Sequence, residues 1–239
     1  MEIATRTVEY GHGDVTLQGV VACEVDAGKS RPGVLVVHGI EGPGEMQVDF
    51  ARRLAEQGYA AFAVDLFGTS AAADDAPRCE QLMAEFLQDR AALHERLFRV
   101  LEVARTLPEV DPTRVGAVGF CFGGLCVLDL ARAGADLRGV ASFHGLLTPP
   151  DTAGRSTISS RVIVFHGWDD PFAHPEDVVA LGRELSDAGA DWQVCAYGGA
   201  MHAFMAPTTN SPQAGVAYNA VTARRAWDTM TTFLAEALS

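Results

Sequence analysis

Residues 119–124 read Gly-Phe-Cys-Phe-Gly-Gly, with Cys121 at the centre. A short apolar, β-prone run, Val115–Phe120, precedes the turn, and an apolar helical pattern, Leu125–Ala133, follows it. Strand, sharp turn and helix, with glycine two residues before and two after a nucleophile-capable side chain, is the layout of a nucleophile elbow. The reason is steric: the elbow residue takes a strained backbone conformation, and side chains at Gly119 or Gly123 would crowd the turn. The strain lifts Cys121 clear at the carboxyl edge of a sheet and leaves it at a helix N-terminus. There the helix dipole and backbone N–H groups favour a thiolate and a developing oxyanion. A free cysteine in a tight β–α turn also fits a small buried hydrophobe, so the reading depends on what the rest of the chain supplies.

Upstream, Thr7–Tyr10 and Val15–Val25 alternate apolar and polar residues around Gly11-His12-Gly13-Asp14, which predicts an opening antiparallel hairpin. After a turn-rich loop, Asp26–Gly33, the continuous apolar run Val34–Val37 predicts a strand buried on both faces, ending in the glycine-rich loop His38–Gly44. Met46–Gln57 follows as an amphipathic helix with Phe50, Ala51, Leu54 and Ala55 on one face, then Ala60–Val64 as a strand. Asp65–Pro77 is a small-residue loop and a candidate pocket wall, and Glu80–Leu107 is one long helix or two abutting ones.

Downstream, Gly139–Phe143, Val162–Phe165 and Trp192–Tyr197 predict strands, and Pro175–Ala188 and Thr222–Leu238 predict helices. The apolar positions of the former helix are Val178, Val179, Leu181 and Leu185. Strands and helices alternate after residue 33, the signature of a mostly parallel sheet with helices on both faces. The 239 residues fit a single α/β domain spanning 1–239.

The formal net charge of −13 argues against nucleic acid or anionic membrane partners, since no basic patch is available to neutralise phosphates. Met1–Tyr10 is mixed polar and unlike a signal peptide, and nothing approaches about eighteen consecutive apolar residues. Five scattered cysteines without a C-x-x-C pair predict reduced thiols in a cytoplasmic protein, with neither a disulfide framework nor a zinc site. No cofactor is expected: no G-x-G-x-x-G follows the first strand and there is no Walker loop.

A cysteine nucleophile needs a base to take its proton and a carboxylate to orient that base. On an α/β-hydrolase fold these follow in the chain order nucleophile, acid, histidine. The chain offers Cys121, then Asp169 or Asp170, then His202, each just past a predicted strand. His38, His144 and His166 also stand at strand ends; such histidines more often bond backbone around a pocket, and without an H-x-x-x-H pair no metal site is expected.

These stretches, with Arg52–Gly68, Ser142–Gly145 (SFHG), His166–Phe172 (HGWDDPF) and Met201–Phe204 (MHAF), resemble the dienelactone hydrolase family, a cysteine branch of the α/β-hydrolase fold. The likeness covers nearly the whole chain. It implies Cys121 as nucleophile and His202 as base. Because the family acid lies three residues after the glycine of G-x-x-D, Gly167 selects Asp170, with Asp169 a neighbour. It further implies an oxyanion hole of the backbone N–H groups of Phe122 and Ile40. Three places depart from the pattern. Gly39 stands where the family carries a thiol-pairing glutamate, with Glu41 two residues later as a possible substitute. The arginines that hold a substrate carboxylate are absent, with Ala206 and Gly68-Thr69 in their places.

The expectation is therefore a hydrolase of an activated ester or lactone acting through a cysteinyl acyl-enzyme, with a small-molecule substrate and an oligomeric state left open. Two alternatives stand beside it. One is a thioesterase or general carboxylesterase for an uncharged substrate, which the missing arginines favour. The other is a non-catalytic binding protein on the same fold.

Overall fold

The structure, a computed structural model, describes residues 2–25, 29–69, 75–150 and 157–239. They group into two compact units, Met1–Ala117 and Val118–Ser239.

In the first unit, β1 (Ile3–His12) and β2 (Val15–Glu24) form the expected antiparallel hairpin, paired from Ile3 with Glu24 to His12 with Val15. The strands are longer than the alternation suggests, and the turn contracts to Gly13-Asp14. β3 (Arg31–Val37) begins three residues before the apolar run and lies parallel to β4 (Ala60–Ala63), which in turn pairs antiparallel with β2. Val34 to Val37 are all buried, as a strand covered on both faces requires. α1 (Glu45–Ala55) buries the stripe Phe50, Ala51, Leu54 and Ala55.

The long helical stretch resolves into two helices, α2 (Ala76–Gln88) and α3 (Arg90–Thr106). Asp89 makes the break: it leaves helical geometry and its carboxylate accepts the Ala92 N–H at 3.0 Å, capping α3. Of the Asp65–Pro77 loop, residues 70–74 lie outside the described residues. The beginning of that loop is firmly tied. Buried Asp65 accepts the N–H groups of Gln18 at 2.9 Å and of Phe67 and Gly68 at 2.8 Å each. β5 (Val110–Phe120) closes this unit and carries the chain into the next.

In the second unit, α4 (Phe122–Arg132) follows directly on β5. β6 (Gly139–Phe143), β7 (Arg161–Gly167) and β8 (Trp192–Tyr197) are parallel neighbours in that order. α5 (Pro175–Asp187) packs on β8, and α6 (Ala220–Ala237) packs on β6 and β7. α5 buries Leu181 and Leu185 but leaves Val179 exposed, so the apolar face there is narrower than the sequence suggests. A short antiparallel ribbon, β9 (Asn210–Ser211) and β10 (Val216–Ala217), lies between β8 and α6 and has no counterpart in the hydrophobic pattern.

Asp65→Ala leaves three backbone donors without their acceptor inside the first unit. Urea denaturation should register a loss of about 3 kcal/mol, with Asp65→Asn costing less.

Candidate active site

The elbow forms as its glycines require. A Cβ placed on Gly119 would overlap the Gly123 carbonyl, so only glycine lets β5 turn into α4 this tightly. Cys121 takes φ 52° and ψ −117°, a conformation that costs free energy for any side chain. Its N–H donates to the Phe143 carbonyl at 3.1 Å, which pins the elbow to the end of β6. The thiol is half-buried. Phe122 opens α4 immediately after it, so the Phe122 N–H lies outside the helical ladder, at the positive end of the helix.

The acid and the histidine come from the ends of β7 and β8. Asp170 is buried, whereas Asp169 and Trp168 are exposed. The Trp168 and Asp169 N–H groups donate to the Tyr197 and Ala200 carbonyls at 2.9 and 3.0 Å, joining the two strand-end loops. Gly167 permits the join, because a Cβ there would lie 2.6 Å from the carbonyl oxygens of both Ala200 and Met201. The His202 backbone is held by main-chain hydrogen bonds. Its N–H donates to Gly215 O, and its carbonyl accepts from Ala217 N–H, each at 3.0 Å, so the β9–β10 ribbon holds it from both sides.

The three side chains meet. His202 Nδ1 lies 2.7 Å from Asp170 Oδ2 and is the donor to that carboxylate, which leaves Nε2 for its hydrogen bond with Cys121. Asp170 Oδ1 accepts the Phe172 N–H at 2.9 Å. Burial disfavours charge on His202, but hydrogen bonds to Asp170 and Cys121 overcome this and raise its pKa to about 9. The structure thus brings together the residues named from the motif, and separates Asp170, bonded to the histidine, from solvent-facing Asp169.

Two rings flank the His202 imidazole, both roughly edge-to-face: His144 at 5.0 Å between centroids and Phe172 at 4.9 Å. His144 has φ 37° and is buried with neither ring nitrogen hydrogen-bonded. Burial, reinforced by the charge on His202, holds it well below the ordinary histidine pKa and therefore neutral. The non-glycine residues with positive φ among those described are Cys121, His144 and Ala203, so backbone strain is concentrated on this one site.

Ile40 and Glu41 lie in the loop after β3 of the first unit. Glu41 is exposed, and its carboxylate accepts from the Gly39 N–H at 3.1 Å and the Gln47 side chain at 2.6 Å. Buried His38 donates through Nδ1 to Gly39 O and accepts the Leu66 N–H on Nε2, at 2.8 and 3.2 Å. Among the described residues no group of three or more His, Cys, Asp or Glu is placed to hold a metal ion. Sequence reasoning missed Phe172 as a neighbour of His202 and the ribbon behind it. The only cue to Phe172 was its place two residues after the acid.

A strand–elbow–helix unit with an acid and a histidine on successive strand-end loops defines an α/β hydrolase. The chain belongs to the dienelactone hydrolase family, whose model matches residues 17–238. In structure it is similar to a dienelactone hydrolase-like promiscuous phosphotriesterase from metagenomic libraries, with 35% identity, 99% of each chain covered and a TM-score of 0.94. In sequence it is 37% identical over 150 residues to an uncharacterized protein of Caenorhabditis elegans, covering 62% of this chain and 95% of that protein. It is also 27% identical to Protein usf of Aquifex pyrophilus, over 98% of this chain and 99% of that one.

Replacing His144 by phenylalanine removes two buried polar atoms that lack partners while keeping a flat ring in the same space. A rise in stability of about 1–2 kcal/mol, read as a higher Tm, is expected.

Proposed function

We propose that the protein hydrolyses activated, uncharged carboxylic esters or lactones through a cysteinyl acyl-enzyme, with Cys121 as nucleophile, His202 as proton carrier and Asp170 as its orienter. What carries this is the 2.7 Å pairing of His202 with Asp170, together with a Cys121 thiol that acts on the same imidazole from a strained elbow at a helix N-terminus. The Cys121 thiolate attacks the carbonyl carbon, forming the C–S bond as the carbonyl π pair moves to oxygen. The Phe122 N–H, and by the sequence match that of Ile40, stabilise the oxyanion. Collapse expels the leaving alkoxide or phenoxide, which takes a proton from the His202 imidazolium. A water molecule then gives its proton to neutral His202 and attacks the thioester, and the thiolate departs.

The preference for activated esters follows from the nucleophile. A thiolate leaves a tetrahedral intermediate more readily than an alkoxide does, so an ester with a poor leaving group returns to starting material. Enol and phenol esters escape this because their leaving groups are stable anions. Ala206 and Gly68-Thr69, standing where family arginines would hold a carboxylate, favour uncharged substrates. A neutral aryl phosphotriester meets the same demands, with phosphorus as the electrophile. The likeness to a relative described as a promiscuous phosphotriesterase supports it as a secondary substrate.

Wild-type protein should hydrolyse an aryl ester and show an acyl adduct by mass spectrometry, and Cys121→Ala should lose both. Turnover untouched by that change would rule out Cys121 as the nucleophile. The pH profile is a separate test. His202 stays protonated below about 9 and loses its proton above it, so kcat/KM should fall as pH rises through about 9. Asp170→Asn weakens the hydrogen bond that raises His202 and should move this limb to lower pH. A diethyl aryl phosphate should be hydrolysed more slowly than the carboxylic ester and, again, not at all by Cys121→Ala.

A further inference from the structure

Phe172 combines two properties that rarely coincide. The residue is 53% exposed, yet its ring packs against His202 at 4.9 Å between centroids and 72° between planes. It is also fixed in place. The Phe172 N–H is bonded to Asp170 Oδ1, and the preceding Pro171 packs so closely on Gly215 that a Cβ there would collide with the proline ring. A ring left to water on one side costs hydrophobic free energy unless something covers it. Trp168, on the same strand-end loop, is 45% exposed and packs edge-to-face with His166 at 6.2 Å. On the other strand-end loop, the position where a carboxylate-binding arginine would stand is Ala206.

We infer that the exposed face of Phe172 is the recognition surface for an aromatic ring of the substrate, which makes arene-bearing, uncharged esters the preferred class. The inference rests on the acyl-transfer reading of the same site. A carbonyl held for attack by Cys121 lies beside His202, so an arene on its leaving group or its acyl group comes within reach of the ring that packs on His202. A flat arene gains offset or edge-to-face contact there that an alkyl group of equal size does not, worth up to about tenfold in binding.

The test compares phenyl acetate with hexafluoroisopropyl acetate, whose leaving groups are of similar acidity but differ in aromaticity. Wild type should favour phenyl acetate. Phe172→Ala should lower kcat/KM for phenyl acetate by about tenfold, chiefly through KM, and change the fluoroalkyl ester less than about threefold. Phe172→Leu should behave like Ala, and Phe172→Tyr like wild type. Equal losses on both esters, or full activity in Phe172→Leu, would overturn arene recognition.

A binding measurement separates this from the fate of the catalytic reading. Acetophenone and cyclohexyl methyl ketone are titrated by ligand-observed NMR, which needs no turnover. Tighter binding of acetophenone that disappears in Phe172→Ala supports the inference even if Cys121→Ala were to retain activity. Equal binding of the two ketones, or a preference unchanged by the substitution, refutes it even if the cysteine chemistry is established.

Discussion

A side chain can stand at φ 52° between β5 and α4 because the residue two before it carries none. The empty position is Gly119, whose missing Cβ makes room for the Gly123 carbonyl one turn on. Everything else at the site is built to meet the side chain so raised. The Phe143 carbonyl at the end of β6 ties down its amide, the end of β7 presents Asp170, and the loop after β8 presents His202. Three parallel strands thus each deliver one constraint at their carboxyl ends, which is why an open α/β sheet concentrates chemistry on that edge.

The electrostatics follow from the same arrangement. A buried histidine should resist protonation, and His144 and His166 both do. His202, equally enclosed, does the opposite because a carboxylate bonds one nitrogen and a thiol the other. Three histidines in neighbouring loops therefore differ in charge by virtue of hydrogen-bond partners rather than depth. The cost falls in backbone strain and in the two unpartnered ring nitrogens of His144, which packs against the imidazole.

How much of this could be read from the chain differs by feature, for physical reasons. Fully buried strands announce themselves as apolar runs, so β3, β6 and β7 are legible, although Arg31-Pro32-Gly33 at the start of β3 lacks the apolar signal and resembles a loop in sequence. The helix break at Asp89 carries no distinct sequence signal, because a capping aspartate looks like any surface aspartate until its carboxylate is placed on the Ala92 N–H. Cys121 and His202 stand out by chain order and by their places past strand ends, whereas the choice of Asp170 over Asp169 comes from the family resemblance. The ribbon around residues 210–217 is not legible, since strands of two residues have no periodicity to detect. Spacing puts Val179 on the apolar face of α5, but spacing cannot tell how wide a stripe the neighbours will cover.

The β9–β10 ribbon bears on how the site is inherited. It grips His202 through the carbonyl of Gly215 and the amide of Ala217, groups that nearly every amino acid provides. Side chains along this segment can therefore drift without moving the imidazole, provided the backbone keeps its path, and Gly215, pressed against Pro171 at φ 73°, is where that freedom ends. A lineage carrying such a support can lose most of its sequence identity while the histidine stays where it was.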